Sequence, residues 1–157
     1  MSAKPVPDGY DCLIPYLIVR GAAKALEFYK ELFGATELLR MPDPSGAAIR
    51  HAELKIRDAV LMLADEMPAC GFLSPQSVNG PPPSSLLLYL SDVDAVFAKA
   101  VSLGAKPLQP PTDQFYGDRM ARFADPFGHI WSIATHVEDV PQEEMGRRAA
   151  EWMKKHG

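Results

Sequence analysis

His51 and Glu53 lie two residues apart in a segment where polar and apolar residues alternate. In a β-strand, alternate side chains point to the same face, so this spacing brings an imidazole and a carboxylate together. Such a pair could transfer protons as a general acid and base, or it could supply two ligands to a divalent metal. It could equally form the polar wall of a cavity or a salt link across strands. Its role therefore depends on the elements that position it.

The region around the pair has the pattern of one βαβββ module, residues 10–64. Ala22, Leu26, Tyr29 and Phe33 form one stripe at helical spacing, and Gly34 stands where a helix-ending glycine belongs. Short apolar or alternating segments on both sides of this helix indicate strands. The predicted elements are a strand at 12–19, a helix at 21–33, and strands at 36–40, 47–56 and 59–64.

The same order recurs seventy residues later, over residues 85–137. The run from Ala25 to Ala35, which ends in Phe-Gly-Ala, is matched by the run from Ala95 to Ala105, which ends in Leu-Gly-Ala. An internal repeat of this kind fixes the architecture, here an α+β fold of two equivalent modules. The second set of predicted elements is a strand at 85–90, a helix at 93–103 capped by Asp92, and strands at 106–109, 119–124 and 129–135.

Two further segments complete the chain. Residues 65–84 are rich in proline and glycine and predict a linker without regular structure. Residues 138–157 predict a C-terminal helix that starts after Pro141. Met145, Ala149, Trp152 and Met153 form an apolar stripe on it, which must pack on the parent module or on a partner subunit.

Composition narrows the range of functions. Apolar residues make up 47% and charged residues 23% of the 157, and the net charge is -4. An acidic balance argues against nucleic-acid binding, and no apolar run approaches the roughly 20 residues that span a bilayer. The first eleven residues lack the apolar core of a signal peptide. Cys12 falls in the predicted first strand, which favours a buried free thiol and a cytoplasmic protein.

Several motifs together resemble the vicinal oxygen chelate superfamily, which includes glyoxalase I, bleomycin-resistance proteins and extradiol dioxygenases. The resemblance covers about residues 10–137. It is carried by the strand 15–19, the helix residues 25–29 with the Phe-Gly-Ala ending, the strand 60–65, and the Asp-Pro-Phe-Gly turn with the strand after it, 125–132. Residues 114–119 combined with 131–136 resemble the PhnB-like branch.

The resemblance implies that each module forms a half-barrel and that two half-barrels enclose a cavity. It also implies a single divalent metal, held in the family's enzymes by residues of the first and last strands of the modules. Counting from the motifs places these positions at Ile14, Met62, Ser85 (or Ser84) and Ser132. None is His, Glu or Asp, the usual donors for such metals. No cofactor is therefore expected, and a divalent metal moved to His51 and Glu53 is the disfavoured alternative.

The cavity implied by the resemblance would be mostly apolar with a few polar groups, as small-molecule pockets are. Tyr116 and Arg119 frame a glycine-containing loop that could close over it, and Arg119 could pair with an anionic ligand. The same side chains could instead be ordinary core or surface ion pairs. Strand alternation assigns to the concave faces Ile14, Val60, Met62, Ser85, Leu87, Tyr89, Ile130, Ser132 and Ala134, with His51, Glu53 and Phe123 added to the lining. The ligand-binding candidates are Met62, Tyr89, Tyr116, Arg119, Phe123 and Ser132.

Three functions stay open on these observations. The first is a metal-free, homodimeric, cytoplasmic protein that binds a small organic molecule, as bleomycin-resistance proteins do. The second is a lyase- or dioxygenase-type enzyme with an unconventional site around His51 and Glu53. The third is a non-catalytic dimeric scaffold whose cavity is filled by its own side chains. None of the three involves nucleic acid or a membrane.

Overall fold

The computed structural model describes residues 3–156. The chain divides between Pro82 and Pro83 into two compact units, and each contains one βαβββ module. The predicted α+β repeat is therefore confirmed.

The first unit is a four-stranded mixed sheet with one helix. Its strand order is β1-β4-β3-β2, with β1 parallel to β4 and the other pairs antiparallel. Its elements are β1 (Tyr16–Val19), α1 (Ala22–Phe33), β2 (Thr36–Pro42), β3 (Ile49–Ile56) and β4 (Ala59–Asp65). The linker that follows contains two single 3₁₀ turns, Pro68–Cys70 and Pro75–Ser77.

The core of this unit lies between α1 and one face of the sheet. Leu26 and Tyr29 of α1 are fully buried, as are Leu54 of β3 and Leu63 of β4. These strand residues belong to one face because Leu54 pairs with Leu61, two residues before Leu63. The helix stripe and the strand alternation thus bury the same apolar surface, which is the main source of folding free energy.

Asp65 supplies the start of α1 with the cap that its own sequence lacks. Gly21 precedes the helix in a left-handed conformation, with φ of +85°, and has no side chain that could cap it. Asp65 Oδ1 accepts hydrogen bonds from the N–H groups of Gly21 and Ala22, both 2.8 Å long, and Oδ2 accepts one from Ile49. A carboxylate here satisfies otherwise unpaired helix N–H groups and favours the helix dipole. Asp65 thereby connects α1 and β3 to the end of β4.

The second unit repeats this order and adds a C-terminal helix. Its strand order is β5-β8-β7-β6, again with one parallel pair, β5 with β8. Its elements are β5 (Ser85–Tyr89), α2 (Val93–Ser102), β6 (Lys106–Asp113), β7 (Asp118–Ala124), β8 (Ile130–His136) and α3 (Gln142–His156). Asp92 accepts a hydrogen bond from the Ala95 N–H, so it caps α2 as predicted. No helix within residues 3–156 has both the length and the apolar character needed to cross a membrane.

Two predicted strands differ from the observed ones by four residues at one end, whereas the others agree within two. The first strand begins at Tyr16 rather than at residue 12. Among the described residues it pairs with β4 alone, and the pairing ends where Pro15 accepts a hydrogen bond from Met62. Cys12 therefore lies outside the sheet and is exposed, not buried. Conversely, β6 continues past the predicted end at residue 109 to Asp113. It is an edge strand, where the missing N–H groups of its prolines break no ladder on the outer side.

Candidate functional site

The candidate site lies on the face of the first sheet that α1 does not cover, which we call the open face. Strand register assigns its members: Glu53 is opposite Met62, and Met62 is beside Tyr16. His51 shares this face because it is two residues from Glu53. The predicted meeting of His51, Glu53 and Met62 on one face therefore agrees with the strand register, and Tyr16 is added to them.

These polar residues form a continuous hydrogen-bonded chain, the Tyr–His–Glu chain. The Tyr16 hydroxyl lies 2.8 Å from His51 Nδ1, and His51 Nε2 lies 2.9 Å from Glu53 Oε1. The Tyr10 hydroxyl donates to the other oxygen of Glu53. Tyr10 belongs to the segment before β1, so this bond ties that segment to β3. Both carboxylate oxygens of Glu53 thus have partners.

The electrostatics of the chain favour a charged carboxylate and a protonated phenol. Glu53 is only 6% exposed, yet hydrogen bonds from Tyr10 and then His51 lower its pKa, against the opposing effect of burial. Burial and the charge of Glu53 raise the pKa of Tyr16. A neutral imidazole protonated on Nε2 would donate to Glu53 and accept from Tyr16. The arrangement can therefore move a proton from Tyr16 to His51, with Glu53 stabilising the resulting imidazolium.

A cavity of about 320 Å³ lies beside this chain within the first unit. Tyr16 belongs to both, so the phenol forms part of the cavity wall. This volume is at the small end of the range for ligand pockets, about 300 to 1,000 Å³. The lining is mostly apolar, with one basic and one acidic side chain. The lining residues are Tyr16, Ile18, Arg50, Ala64, Asp65, Met67 and Phe72.

Glu66 holds one wall of this cavity in place. That wall is a short loop in which the backbones of Met67 and Phe72 pair in both directions, at 2.9 and 3.2 Å. Glu66 accepts hydrogen bonds from Ser77 Oγ at 2.5 Å and from Arg20 Nε at 2.8 Å. These bonds, with further ones from Ser74, lower the pKa of Glu66 to about 2. The linker is thus fastened to the sheet edge at neutral pH.

The two charged side chains of the lining differ in how much of their hydrogen-bonding capacity is already used within the protein. Both carboxylate oxygens of Asp65 already accept backbone hydrogen bonds, as described above. Arg50 is 43% exposed, and its ion-pair partner Asp43 lies 3.7 Å away, beyond hydrogen-bonding distance. Arg50 was not among the predicted site residues. Only the assembled linker shows that it faces a cavity.

The second unit has a polar cluster of its own on the corresponding face of its sheet. The Tyr89 hydroxyl donates to Asp118 Oδ2 at 2.6 Å, and His136 Nδ1 lies 2.8 Å from Asp118 Oδ1. His136 Nε2 lies 2.9 Å from Asp139, and the hydrogen bonds to Asp118 and then Asp139 raise the pKa of His136. Asp118 is 4% exposed, and it was not among the predicted site residues. The hydroxyl of Tyr89, a predicted ligand-binding residue, is therefore hydrogen-bonded to a buried carboxylate of the protein itself.

Phe123 and Arg119 do not line the open face; they take the alternative that the sequence leaves open, core packing for Phe123 and a surface ion pair for Arg119. Phe123 pairs with Trp131 and is fully buried on the face that α2 covers, so it belongs to the core. Arg119 lies on that same face of β7, where its guanidinium pairs with Asp94 of α2 at 2.7 Å and with Asp113 at 2.9 Å. Both residues stabilise the helix-covered side of the second sheet instead of lining its open side.

The loop expected to close over a cavity is a tight turn. Gln114 N–H donates to the Asp118 carbonyl at 2.7 Å, and the Gly117 carbonyl accepts from the N–H groups of Val137 and Glu138. Tyr116 is half-buried, and its hydroxyl contacts the sulfur of Met120 at 3.8 Å. The turn is held from both sides, which leaves it little freedom to act as a lid.

The positions that would hold a family-type metal carry unsuitable side chains. Counting motifs placed the first-strand positions at Ile14 and Ser85, but the observed register puts Tyr16 beside Met62 and Leu87 beside Ser132. A phenol, a thioether, an alkyl group and a hydroxyl are not the donors that such metals prefer. Within residues 3–156, no three His, Cys, Asp or Glu side chains come together at a metal-binding spacing. The residues present do not fit the metal.

The fold and the site define a protein of paired βαβββ modules whose open faces carry polar clusters. The chain belongs to the Glyoxalase/Bleomycin resistance protein/Dioxygenase superfamily, whose family model matches residues 12–133. The family predicted from the sequence is thus confirmed.

Its relatives by sequence include an uncharacterized protein of Mycobacterium bovis, 42% identical over 136 residues, which cover 85% of this chain and 88% of the relative. Similar structures include TioX from Micromonospora sp. ML1, with a TM-score of 0.62 and 26% identity over 81% of this chain and 99% of that one. The PhnB protein from Bacillus cereus has a TM-score of 0.63 and 18% identity, over 80% and 99%. At that identity, the likeness to PhnB shows the fold alone.

Proposed function

We propose that this protein binds a small organic molecule in the cavity of its first unit, without a metal. The observation that carries the proposal is the cavity itself: apolar walls from β1, β4 and the linker, with the Tyr–His–Glu chain at one side. Apolar walls supply affinity by removing ligand surface from water, and a few fixed polar groups set its orientation. The loop that forms one wall of the cavity is held by hydrogen bonds, which favours a pocket that exists before the ligand binds. A preformed pocket lowers the entropy cost of binding.

A thermal-shift screen with small aromatic and heterocyclic compounds tests this proposal. A ligand present at one hundred times its Kd stabilises the protein by about 2.7 kcal/mol. For a chain of this length, that raises Tm by roughly 5–10 °C. Hits are then measured by calorimetry to obtain Kd and stoichiometry.

Ala64→Leu is the variant that locates the site. Ala64 lines the cavity, so a leucine there fills space that a ligand would need. Binding should fall at least tenfold, while Ala98→Leu on the exposed side of α2 adds the same apolar volume and should leave binding unchanged. Equal binding by both variants would place the ligand elsewhere and contradict the proposal.

A second candidate function is acid–base catalysis on the bound molecule, favoured by the Tyr–His–Glu chain. The chain ends in a phenol on the cavity wall, so the Tyr16 oxygen can take a proton from a bound molecule as its own proton passes to His51 Nδ1. An enzyme of this type should lose turnover of a bound compound in Tyr16→Phe and in His51→Ala, with Kd changed by less than threefold. A compound that stays chemically unaltered after long incubation with the wild-type protein argues for binding alone.

The proposal also states that the binding site works without a metal. Protein purified without a histidine tag and dialysed against zinc, nickel, manganese and iron should retain less than about a tenth of an equivalent, because thioether and hydroxyl groups are poor ligands for these ions. Elemental mass spectrometry measures the content. Near-stoichiometric metal that disappears in His51→Ala would instead move the site to His51 and Glu53.

We also propose a cytoplasmic homodimer. The exposed free thiols of Cys12 and Cys70 suit a reducing compartment. On α3, Trp152 and Met153 are 46% and 62% exposed, and a second chain could cover this apolar surface. Light scattering after gel filtration should give twice the 17.2 kDa chain mass, and Trp152→Glu should shift it toward the monomer.

A further inference from the structure

We infer that the cavity of the first unit selects an organic anion: a compact apolar body with one carboxylate, bound by Arg50. This inference rests on the proposed binding function and specifies the chemical class of the ligand. It depends on the two charged residues of the lining and on which of them has free hydrogen-bonding capacity.

Asp65 does not favour the binding of a cation in this cavity. Its two oxygens accept three backbone hydrogen bonds, all 2.8 Å long, from Gly21, Ala22 and Ile49. Two of these donors belong to the start of α1, where the helix dipole is positive. The negative charge of Asp65 is therefore balanced within the fold, and a bound cation would have to compete with these bonds.

Arg50 has the opposite character. Its guanidinium carries five N–H donors, and Asp43 faces it at 3.7 Å, too far for a hydrogen bond. Asp43 is itself occupied on its other oxygen, Oδ1, by Ser45 Oγ and by the N–H groups of Ala47 and Ala48. Arg50 therefore offers unused donors beside an apolar cavity, and a planar carboxylate matches their spacing in a two-point contact.

The apolar walls determine the size and the apolar character of the rest of the ligand. Ile18, Ala64, Met67 and Phe72 form the apolar part of the lining that Arg50 shares. A cavity of about 320 Å³ accepts a body of one or two rings. An aromatic monocarboxylate combines both features, since its ring contacts the walls while its charge reaches the guanidinium.

Calorimetry with three probes of the same shape and different charge tests the inference: 1-naphthoate, 1-naphthamide and 1-naphthylmethylammonium. We expect 1-naphthoate to bind about tenfold more tightly than the amide, and the ammonium compound to bind most weakly. Arg50→Gln should remove the preference for the anion while amide binding persists. Asp43→Asn, which removes the negative charge of the ion-pair partner of Arg50, should strengthen naphthoate binding severalfold.

Lys24→Gln is the matched control, since it removes one positive charge from an exposed position on α1. It should leave all three affinities within twofold of the wild type. Equal binding of the three probes, tightest binding of the ammonium compound, or an anion preference that survives Arg50→Gln would overturn the inference but not the proposed function. Failure of the wild-type protein to bind any of them at millimolar concentration would count against the proposed function itself.

Discussion

Gly117→Ala should destabilise the second unit strongly, although it adds a single methyl group. Gly117 has φ of +97°, a conformation that side-chain-bearing residues adopt only with strain. A Cβ at this position would lie 2.1 Å from the Glu138 carbonyl oxygen and 3.0 Å from Val140 Cγ2. The backbone at residue 138 cannot rotate aside as a flexible side chain would, so the two segments must separate by about 1.4 Å to reach ordinary contact distance.

The size of the effect follows from two contributions. The unfavourable backbone conformation contributes about 1–3 kcal/mol. Separation also weakens the two hydrogen bonds that the Gly117 carbonyl accepts, from Val137 at 2.9 Å and Glu138 at 3.0 Å. Each is worth about 1 kcal/mol. We therefore expect a loss of about 2–5 kcal/mol in the free energy of unfolding, and a fall in Tm of roughly 5–15 °C.

Urea denaturation followed by far-UV circular dichroism measures this loss, and Gly146→Ala provides the control. Gly146 lies within α3, and a Cβ there meets nothing within 4 Å. The same substitution should be neutral at that position or stabilise the helix by up to about 1 kcal/mol. A Gly117→Ala protein within 0.5 kcal/mol of the wild type, or two variants that behave alike, would refute the argument from the close approach to Glu138.

Two further predictions concern polar groups of the second unit. Asp125 is 4% exposed and accepts hydrogen bonds from two N–H groups of its own turn and from Trp131 Nε1. Asp125→Ala should therefore lower the free energy of unfolding, measured by urea denaturation, by about 2–4 kcal/mol. Asp125→Asn should lower it by less. His136 has a raised pKa in the folded protein because of Asp118 and Asp139, so its stabilising contribution is complete below pH 6.5 and is lost as pH rises through the folded pKa. The Tm of the wild type should accordingly fall relative to that of His136→Gln between pH 6 and 9, and parallel pH profiles for the two proteins would contradict this.

The helices and most strands were predictable because their signals are local. The stripe of α1 and the glycine that ends it at Gly34 act within one or two turns of chain. The alternation of β3 likewise put His51 beside Glu53 without knowledge of any other strand. The strand ends were less predictable, since the length of β1 depends on how far β4 continues beside it.

The errors in the candidate site came from relations between strands. Phe123 was assigned to the wrong face, although its partner Trp131 lies between Ile130 and Ser132, which were assigned to the concave face, so alternation puts Trp131 on the other side. A shift of one residue in register reverses every side chain of a strand, so the face is fixed only once the pairing is known. The first-strand position is a different case: positions 14 and 16 are two residues apart and share a face, so only the pairing beside Met62 selects Tyr16 over Ile14.

The sequence by itself determined the repeated module, the family, the helix stripes and the adjacency of His51 and Glu53, since each depends on residue type and spacing along a short stretch of chain. The tertiary structure alone decided which distant groups meet. It brings Tyr10 to Glu53 over 43 residues, and it folds a proline-rich linker so that Phe72 and Arg50 face one cavity. Such contacts follow from chain paths through loops, which have no periodicity to interpret. For that reason the polar pair was predicted, whereas the contribution of Arg50, Met67 and Phe72 to a cavity wall was not.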